Sequence, residues 1–182
     1  MILHPTGIAG VTVVELQPFH DERGLFARTF CAREFEAAGL NPFVAQANVA
    51  FNHRRATLRG MHYQEPPATE AKLVRCTRGR VFDVAVDLRA GSPTYLGHVG
   101  VELDPNRRVA VYVPEGCAHG YLTLENDTEV MYQVSEFYSP GAEGGLRWDD
   151  PRLAIAWPAE PLVISNKDMS WPLIGQVPAP EL

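Results

Sequence analysis

The chain has 182 residues, enough for one domain with a substantial core. It carries 16 Lys and Arg against 22 Asp and Glu, and this net charge of -6 argues against nucleic-acid or anionic-membrane binding. Both of those functions need a basic excess to neutralise phosphates. Because no apolar run approaches the roughly 20 residues of a membrane span and the start lacks a signal-peptide pattern, we expect a soluble, cytoplasmic protein.

The three cysteines, Cys31, Cys76 and Cys117, are an odd number without CxxC spacing. This pattern predicts neither a disulfide framework nor a thiolate zinc site. We expect reduced thiols that are mostly buried.

Glycine and proline fall between short β-branched runs, which is typical of an all-β sandwich, jelly roll or barrel. Between residues 81 and 88, apolar side chains alternate with Asp83 and Asp87, which we expect on the opposite face. A short helix is predicted over residues 32–38, ended by Gly39. We expect one domain over residues 1–182, with a Pro-rich tail that frays from about residue 174. The other predicted strands cover residues 11–14, 72–76, 99–103, 109–113, 121–124 and 130–137.

Residues 58–64, LRGMHYQ, place ionisable side chains on a strand that contains a glycine. In a regular strand His62 and Gln64 share one face, while Arg59 falls on the other. Arg59 and His62 can serve one site only if Gly60 marks a bulge or kink. The alternative is a surface strand with incidental polar residues.

His119 stands between glycines in PEGCAHG, residues 114–120, after the earlier histidine-bearing strand. This layout resembles a cupin, a jelly roll that often holds a metal through a His-x-His pair, a carboxylate and a later histidine. Here Gln64 stands where the second histidine would be, and Lys72 occupies the expected carboxylate position. Because a cation there would repel a metal ion, we expect no metal.

These residue types suit proton transfer without a metal. His62 can take a proton near neutral pH, and a buried Lys72 can stabilise negative charge on a neighbouring oxygen. Tyr132 can return a proton, although its strand position also fits ordinary packing. Asp168 could orient a histidine, and Arg23, in a charged turn, could clamp a phosphate, but each also fits a solvated turn.

Several motifs in order resemble the dTDP-4-dehydrorhamnose 3,5-epimerase family and its nucleotide-sugar epimerase relatives, over nearly the full chain. The motifs are DERG (residues 21–24), LRGMHYQ (58–64), KLVR (72–75), DVAVDLR (83–89), SPTY (92–95), PEGCAHG (114–120) and WDDP (148–151).

The resemblance implies a cupin-type jelly roll, a homodimer and epimerisation beside a ketone, at C3 and C5 or at C3 alone, without metal or cofactor. The substrate would be a nucleoside-diphosphate 4-keto-6-deoxy sugar such as dTDP-4-dehydro-6-deoxyglucose. It assigns His62 as general base with Asp168 as partner, Tyr132 as proton donor and Lys72 as the group beside the C4 carbonyl. Tyr138 matches the aromatic that stacks on the base. The other substrate-contacting matches are Arg23, Gln46, Asn48, Arg59, His119, Glu143 and Lys167.

Two positions depart from the family pattern. The family usually has Gln-Asp-Asn where this chain has Gln46, Ala47 and Asn48, and Glu where it has Arg28. In the resemblance both positions lie near the substrate, which leaves the nucleotide base and sugar open. A 3,4-ketoisomerase and a non-catalytic sugar-binding jelly roll remain as alternative functions.

Overall fold

Two antiparallel β-sheets face each other in the computed structural model, which describes residues 1–176. One sheet has six strands in the order β1-β2-β10-β7-β12-β5, and the other has five in the order β13-β6-β11-β8-β9; β3 and β4 form a separate hairpin. The elements are β1 (Ile2–Pro5), β2 (Thr12–Glu15), β3 (Phe19–Asp21), β4 (Gly24–Phe26), α1 (Ala32–Ala37), β5 (Gln46–Asn52), β6 (Leu58–Gln64), β7 (Lys72–Arg78), β8 (Val81–Asp87), β9 (His98–Leu103), β10 (Val109–Val113), β11 (Cys117–Thr123), β12 (Thr128–Val134), β13 (Glu143–Gly145) and α2 (Asn166–Ser170).

The core lies between the two sheets, where inward-facing residues of both meet. Val74 and Val130 from the six-stranded sheet pack with Val81 and Tyr121 from the five-stranded sheet in one buried cluster. This arrangement confirms the predicted all-β, cupin-type jelly roll with a few short helices. None of the helices in residues 1–176 is long and apolar enough to cross a membrane.

The predicted strands are found, with changes at their ends. The run expected over residues 130–137 leaves the sheet after Val134, because Ser135 turns to pair its N–H with the Ala71 carbonyl. The strand expected over residues 121–124 is the end of the longer β11, which begins at Cys117. The predicted helix is present as α1, and Gly39 beyond it has a positive φ of 72°, a conformation that glycine adopts without strain.

Both aspartates of β8 are buried, although alternation predicted a polar face for them. The strand lies between β11 and β9 as an inner strand of its sheet, and Asp83 and Asp87 are 1% and 0% exposed. Burial raises the pKa of Asp87, but hydrogen bonds from Arg89, Ser92 and Thr94 outweigh it and lower the pKa to about 2. Buried carboxylates are retained where such partners satisfy them.

The three cysteines are free thiols, and the backbone near the described end of the chain makes a hydrogen bond to a side chain. Cys76 and Cys117 are buried and Cys31 is partly buried, all as free thiols. Ile174 donates its backbone N–H to Asp150 Oδ2 at 2.5 Å. The Pro-rich residues 177–180 lie outside the described residues.

Candidate active site

A cavity of about 790 Å³ opens between the two sheets, within the size range of small-molecule sites. Strands β5, β7 and β12 supply one wall, β6, β11 and β13 the other, and α2 closes one side. The fold thereby gathers all but one of the predicted site residues. They are Gln46, Asn48, Arg59, His62, Lys72, His119, Tyr132, Tyr138, Glu143, Lys167 and Asp168.

His62 and Asp168 form a hydrogen-bonded pair although 106 positions separate them in sequence. His62 Nε2 lies 2.7 Å from Asp168 Oδ1, and the carboxylate also accepts the Gly60 N–H at 3.4 Å. Burial raises the pKa of Asp168, but the hydrogen bond to His62 outweighs it and keeps the pKa below its usual value. The carboxylate is therefore ionised at neutral pH. With Nε2 bonded to it, His62 Nδ1 is left to take a proton.

The short helix α2 positions Asp168 beside His62 of β6. The side chain of Ser165 caps the helix by accepting the Asp168 N–H at 3.0 Å. This hydrogen bond fixes the backbone of Asp168 in the first turn, so that its carboxylate faces His62. No local sequence pattern predicts this long-range contact, which only the family resemblance implied.

Lys72 begins β7 and is nearly buried, with 10% of its side chain exposed. Its Nζ donates to the His62 carbonyl oxygen at 3.2 Å and pairs with Glu70 Oε1 at 3.1 Å. The ammonium therefore lies beside the backbone of the residue that carries the imidazole. Among residues 1–176 no three or more His, Cys, Asp or Glu side chains converge as metal ligands.

Tyr132 reaches the cavity from β12 and keeps its proton at neutral pH. Burial raises the pKa of its phenol, the negative charge of Glu70 raises it further, and Arg59 opposes this. Neighbouring Tyr121, on β11, has its pKa raised to about 12 by burial. Both phenols are thus hydrogen-bond or proton donors at neutral pH.

The glycine irregularity predicted in β6 is present. Gly60 has a φ of 138°, and the pairing of β6 with β11 shifts register between His119 and Tyr121. A Cβ on Gly60 would lie 2.6 Å from the Gly120 Cα, so the two strands meet here through glycines. Because the register changes at this point, Arg59 and His62 both line the cavity.

His119 also has a carboxylate partner, which the sequence reasoning missed. His119 Nε2 lies 2.8 Å from Asp83 Oδ2, and Asp83 is fully buried with its Oδ1 unpartnered. Asp83 was expected on a polar face, and only the facing register of β8 and β11 reveals the contact.

Tyr138, Glu143 and Lys167 form a linked group at the rim of the cavity. Tyr138 donates its hydroxyl to Glu143 Oε2 at 2.8 Å, and Lys167 Nζ lies 2.5 Å from Glu143 Oε1. Burial raises the pKa of Glu143, but the bonds from Lys167 and Tyr138 outweigh it and lower the pKa. Tyr138 lies beyond the end of β12 and lines the cavity.

Arg59 differs from the other cavity cations. Its Nε donates to Asn52 Oδ1 at 2.8 Å, and buried Asn52 in turn bonds the Tyr121 hydroxyl at 3.3 Å. In the described part of the chain no carboxylate forms an ion pair with Arg59, whereas Lys72 pairs with Glu70 and Lys167 with Glu143. The guanidinium is therefore oriented by a neutral group and keeps its charge available for an anion.

Arg23 is the predicted site residue that this cavity does not contain. It lies at the tip of the β3–β4 hairpin, with 85% of its side chain exposed, and it pairs with Asp21. Arg28 also lies outside and pairs with Glu34, and Ala47 faces away from the cavity between Gln46 and Asn48. The two departures from the family pattern therefore do not line the cavity of their own chain.

Glu70 and Asn52 were missed in the sequence, although one of them left a signal. Glu70 stands two residues before Lys72, the spacing that puts two side chains on one face of an extended chain. Asn52 carried no such signal, because its role depends on the pairing of β5 and β12 and on the approach of β6.

Comparison with known proteins identifies the family. The model for dTDP-4-dehydrorhamnose 3,5-epimerase matches residues 5–176. The chain belongs to the dTDP-4-dehydrorhamnose 3,5-epimerase family. An epimerase of that name from Sinorhizobium fredii is 40% identical over 179 residues, covering 98% of this chain and 92% of the relative.

Solved structures of epimerases of this kind agree in fold. The dTDP-4-dehydrorhamnose 3,5-epimerase of Elizabethkingia anophelis superposes with a TM-score of 0.94 at 35% identity, with 97% of each chain covered. A 3'-monoepimerase from Streptomyces bikiniensis, solved in complex with dTDP-quinovose, gives a TM-score of 0.85 at 40% identity and covers 93% of this chain and 86% of its own. The family resemblance inferred from motifs is thereby confirmed.

Proposed function

We propose that this chain epimerises a nucleoside-diphosphate 4-keto-6-deoxy sugar, dTDP-4-dehydro-6-deoxyglucose in particular, at C3 and C5 or at C3 alone. The observation that carries the proposal is the meeting of the His62–Asp168 pair, Lys72 and Tyr132 in one cavity. Names of relatives include both 3,5-epimerases and 3-epimerases of dTDP-linked sugars, which supports the substrate class and leaves both outcomes within the proposal.

The reaction consists of two proton transfers on either side of an enolate. A C4 ketone acidifies the hydrogens on C3 and C5. His62 Nδ1 takes one of these protons, the electron pair of the broken C–H bond moves into the enolate, and the Lys72 ammonium stabilises the charge on O4. Tyr132 then donates its phenolic proton to the opposite face of the same carbon.

The proposed chemistry needs no metal and no redox cofactor, because no electrons leave the substrate. The positive charge that a metal would supply to O4 comes instead from Lys72, which stands 3.2 Å from the carbonyl of the residue that carries the base. Asp168 stabilises the imidazolium that forms on His62.

The nucleotide is held by the remaining cavity residues. Arg59, with no carboxylate partner in residues 1–176, is the first anchor for the diphosphate. Lys167 and His119 add donors, Gln46, Asn48 and Glu143 add hydrogen bonds, and the exposed ring of Tyr138 offers a stacking surface for the base.

Arg23 completes the site if the protein is a homodimer. Its hairpin stands out with Phe19 and Phe26 76% and 71% exposed, an apolar surface of the kind that protein partners cover. We propose that this hairpin packs on a second copy of the chain and brings Arg23 to the partner's cavity. The buried free thiols of Cys76 and Cys117 favour a cytoplasmic location.

Incubation with dTDP-4-dehydro-6-deoxyglucose in heavy water, followed by proton NMR, tests the activity. We expect loss of the C3 proton signal, with or without the C5 signal, together with inversion at the exchanged carbon. His62→Ala should abolish exchange while dTDP binding stays within about threefold. Cytidine- and uridine-linked sugars test the base. Absence of exchange with all of them would refute the proposal, and movement of the ketone from C4 to C3 would assign a ketoisomerase.

A further inference from the structure

Glu70 is a nearly buried carboxylate in the cavity wall that the proton transfers described above do not use. It stands two residues before Lys72, with 12% of its side chain exposed, and its Oε1 lies 3.1 Å from Lys72 Nζ. A carboxylate is costly to bury unless a charged partner offsets the lost hydration. The ion pair with Lys72 is such a partner.

Glu70 and the His62 carbonyl hold the Lys72 ammonium from two sides. Nζ donates to the His62 oxygen at 3.2 Å, on the strand that carries the base, and faces Glu70 on the segment before its own strand. An ammonium has three N–H donors, so one is left for a substrate oxygen. A lysine side chain is flexible, and these two contacts fix where that third donor points.

The charge of Glu70 also acts on Tyr132. Burial raises the pKa of the phenol first, and the Glu70 carboxylate raises it further. Arg59, on β6, opposes the rise, and Tyr121, on β11, is an un-ionised phenol, its pKa near 12. The strand neighbours of Tyr132 in the sheet, Asn48 and Val74, are uncharged.

We propose that Glu70 is a positioning residue for the epimerisation: its carboxylate holds the Lys72 ammonium at the enolate oxygen, in the cavity that Tyr132 also lines. The inference rests on the proposed function, because it assumes that Lys72 and Tyr132 act on the same substrate. It goes beyond that function by assigning a role to a carboxylate that the proton transfers do not use.

Glu70→Gln is the principal test, because it keeps the shape of the side chain and removes its charge. We expect kcat to fall about three- to tenfold at neutral pH, with KM within twofold. This loss is smaller than the loss from removing the enolate-stabilising group itself, because Lys72 is still present. We also expect the alkaline limb of the pH profile of kcat to shift to lower pH by about half a unit or more, because the negative charge that raises the pKa of Tyr132 is gone. Glu70→Asp keeps the charge and should retain the alkaline limb.

Ultraviolet difference titration of the free protein gives a second measurement that needs no turnover. The Tyr132 signal is the titration curve of a protein minus that of the same protein carrying Tyr132→Phe. It is obtained once in the wild-type background and once in the Glu70→Gln background. The phenol should ionise at lower pH in the variant. Glu65→Gln, which changes an exposed carboxylate outside the cavity, should leave both measurements unchanged.

The outcomes separate this inference from the proposed function. An inactive wild-type protein whose Tyr132 titration still responds to Glu70 refutes the function and leaves the electrostatic role supported. An active Glu70→Gln protein with unchanged kcat and an unchanged alkaline limb overturns the inference while the function stands. A Glu70→Gln protein that fails to fold shifts the test to Glu70→Asp, where a lost alkaline limb overturns it.

Discussion

At the scale of single residues, the candidate site consists of hydrogen-bonded or ion-paired side chains, and each partner affects the charge and the orientation of the other. His62 is tied to Asp168, Lys72 to Glu70 and Lys167 to Glu143, whereas Arg59 rests on the neutral amide of Asn52. The family resemblance named Asp168 as the partner of His62, whereas the partners Glu70 and Asn52 were not predicted from the sequence. Asp168 became a partner of His62 only through α2, which a five-residue segment forms.

The His62–Asp168 pair leads to a prediction for Asp168→Asn. The amide keeps the shape of the side chain but loses the charge that would stabilise the imidazolium. We expect kcat to fall about a hundredfold or more, while dTDP affinity measured by calorimetry stays within threefold. Asp149→Asn, which changes an exposed carboxylate paired with Arg147, is the matched control. A kcat within threefold of wild type would contradict the assigned role.

The same substitution has a stability effect with a defined pH dependence. Because the pKa of Asp168 is lowered in the folded protein, its ionised form stabilises the fold above the unfolded-state pKa of about 3.9. That contribution is lost as pH falls through the lower, folded-state pKa. The melting-temperature gap between Asp168→Asn and wild type should therefore narrow below about pH 4.

At the scale of elements, the crossing of β6 and β11 decides whether the site can form. Gly60→Ala would place a Cβ 2.6 Å from the Gly120 Cα, on a residue whose φ is 138°. Such a backbone conformation costs about 1–3 kcal/mol for a non-glycine residue, and the clash with backbone adds to it. We expect the free energy of unfolding in urea to fall by about 2 kcal/mol or more.

The activity of the Gly60→Ala protein that remains folded should fall more than its stability alone explains, because Arg59 and His62 would no longer face one cavity. Gly7→Ala is the control, since a Cβ there meets nothing within 4 Å. If Gly60→Ala unfolds like the control, the two strands can separate more easily than the structure indicates.

Most elements could be predicted because their periodicity is local, and those missed depend on distant contacts. The alternation in β8 and β10 and the Gly39 stop after α1 were sufficient to place those elements. β13 has only three residues and exists through pairing with β6, and β12 ends where Ser135 turns towards Ala71. Local pattern also misplaced Asp83 and Asp87, because it does not report that β8 is covered on both faces.

At the scale of the whole molecule, a net charge of -6 coexists with a cavity that can take an anion. Ion pairing inside the cavity neutralises the lysines and leaves Arg59 as its cation without a carboxylate partner among residues 1–176. One arginine is a small anchor for a diphosphate. A second copy of the chain would add the exposed Arg23 at its hairpin tip, which is why assembly belongs to the functional argument.

Mixing two inactive variants tests whether Arg23 acts across a dimer. In Arg23→Ala the chain keeps its own His62, and in His62→Ala it keeps its own hairpin, so a hybrid dimer holds one intact site. Random exchange gives hybrids in half of the dimers, and we expect about one quarter of wild-type activity in the mixture, against little in either variant alone. Native mass spectrometry measures the hybrid fraction.

The matched control mixes His62→Ala with Tyr132→Phe. Both residues line the same cavity of their own chain, so no hybrid contains an intact site and no activity should return. Recovery in this control would mean that the cavity residues themselves are exchanged between chains. Hybrids that form from Arg23→Ala and His62→Ala without recovering activity would place Arg23 outside the partner's site. The exposure of the apolar side chains of Phe19 and Phe26 would then require an explanation other than delivery of Arg23 to a partner's cavity.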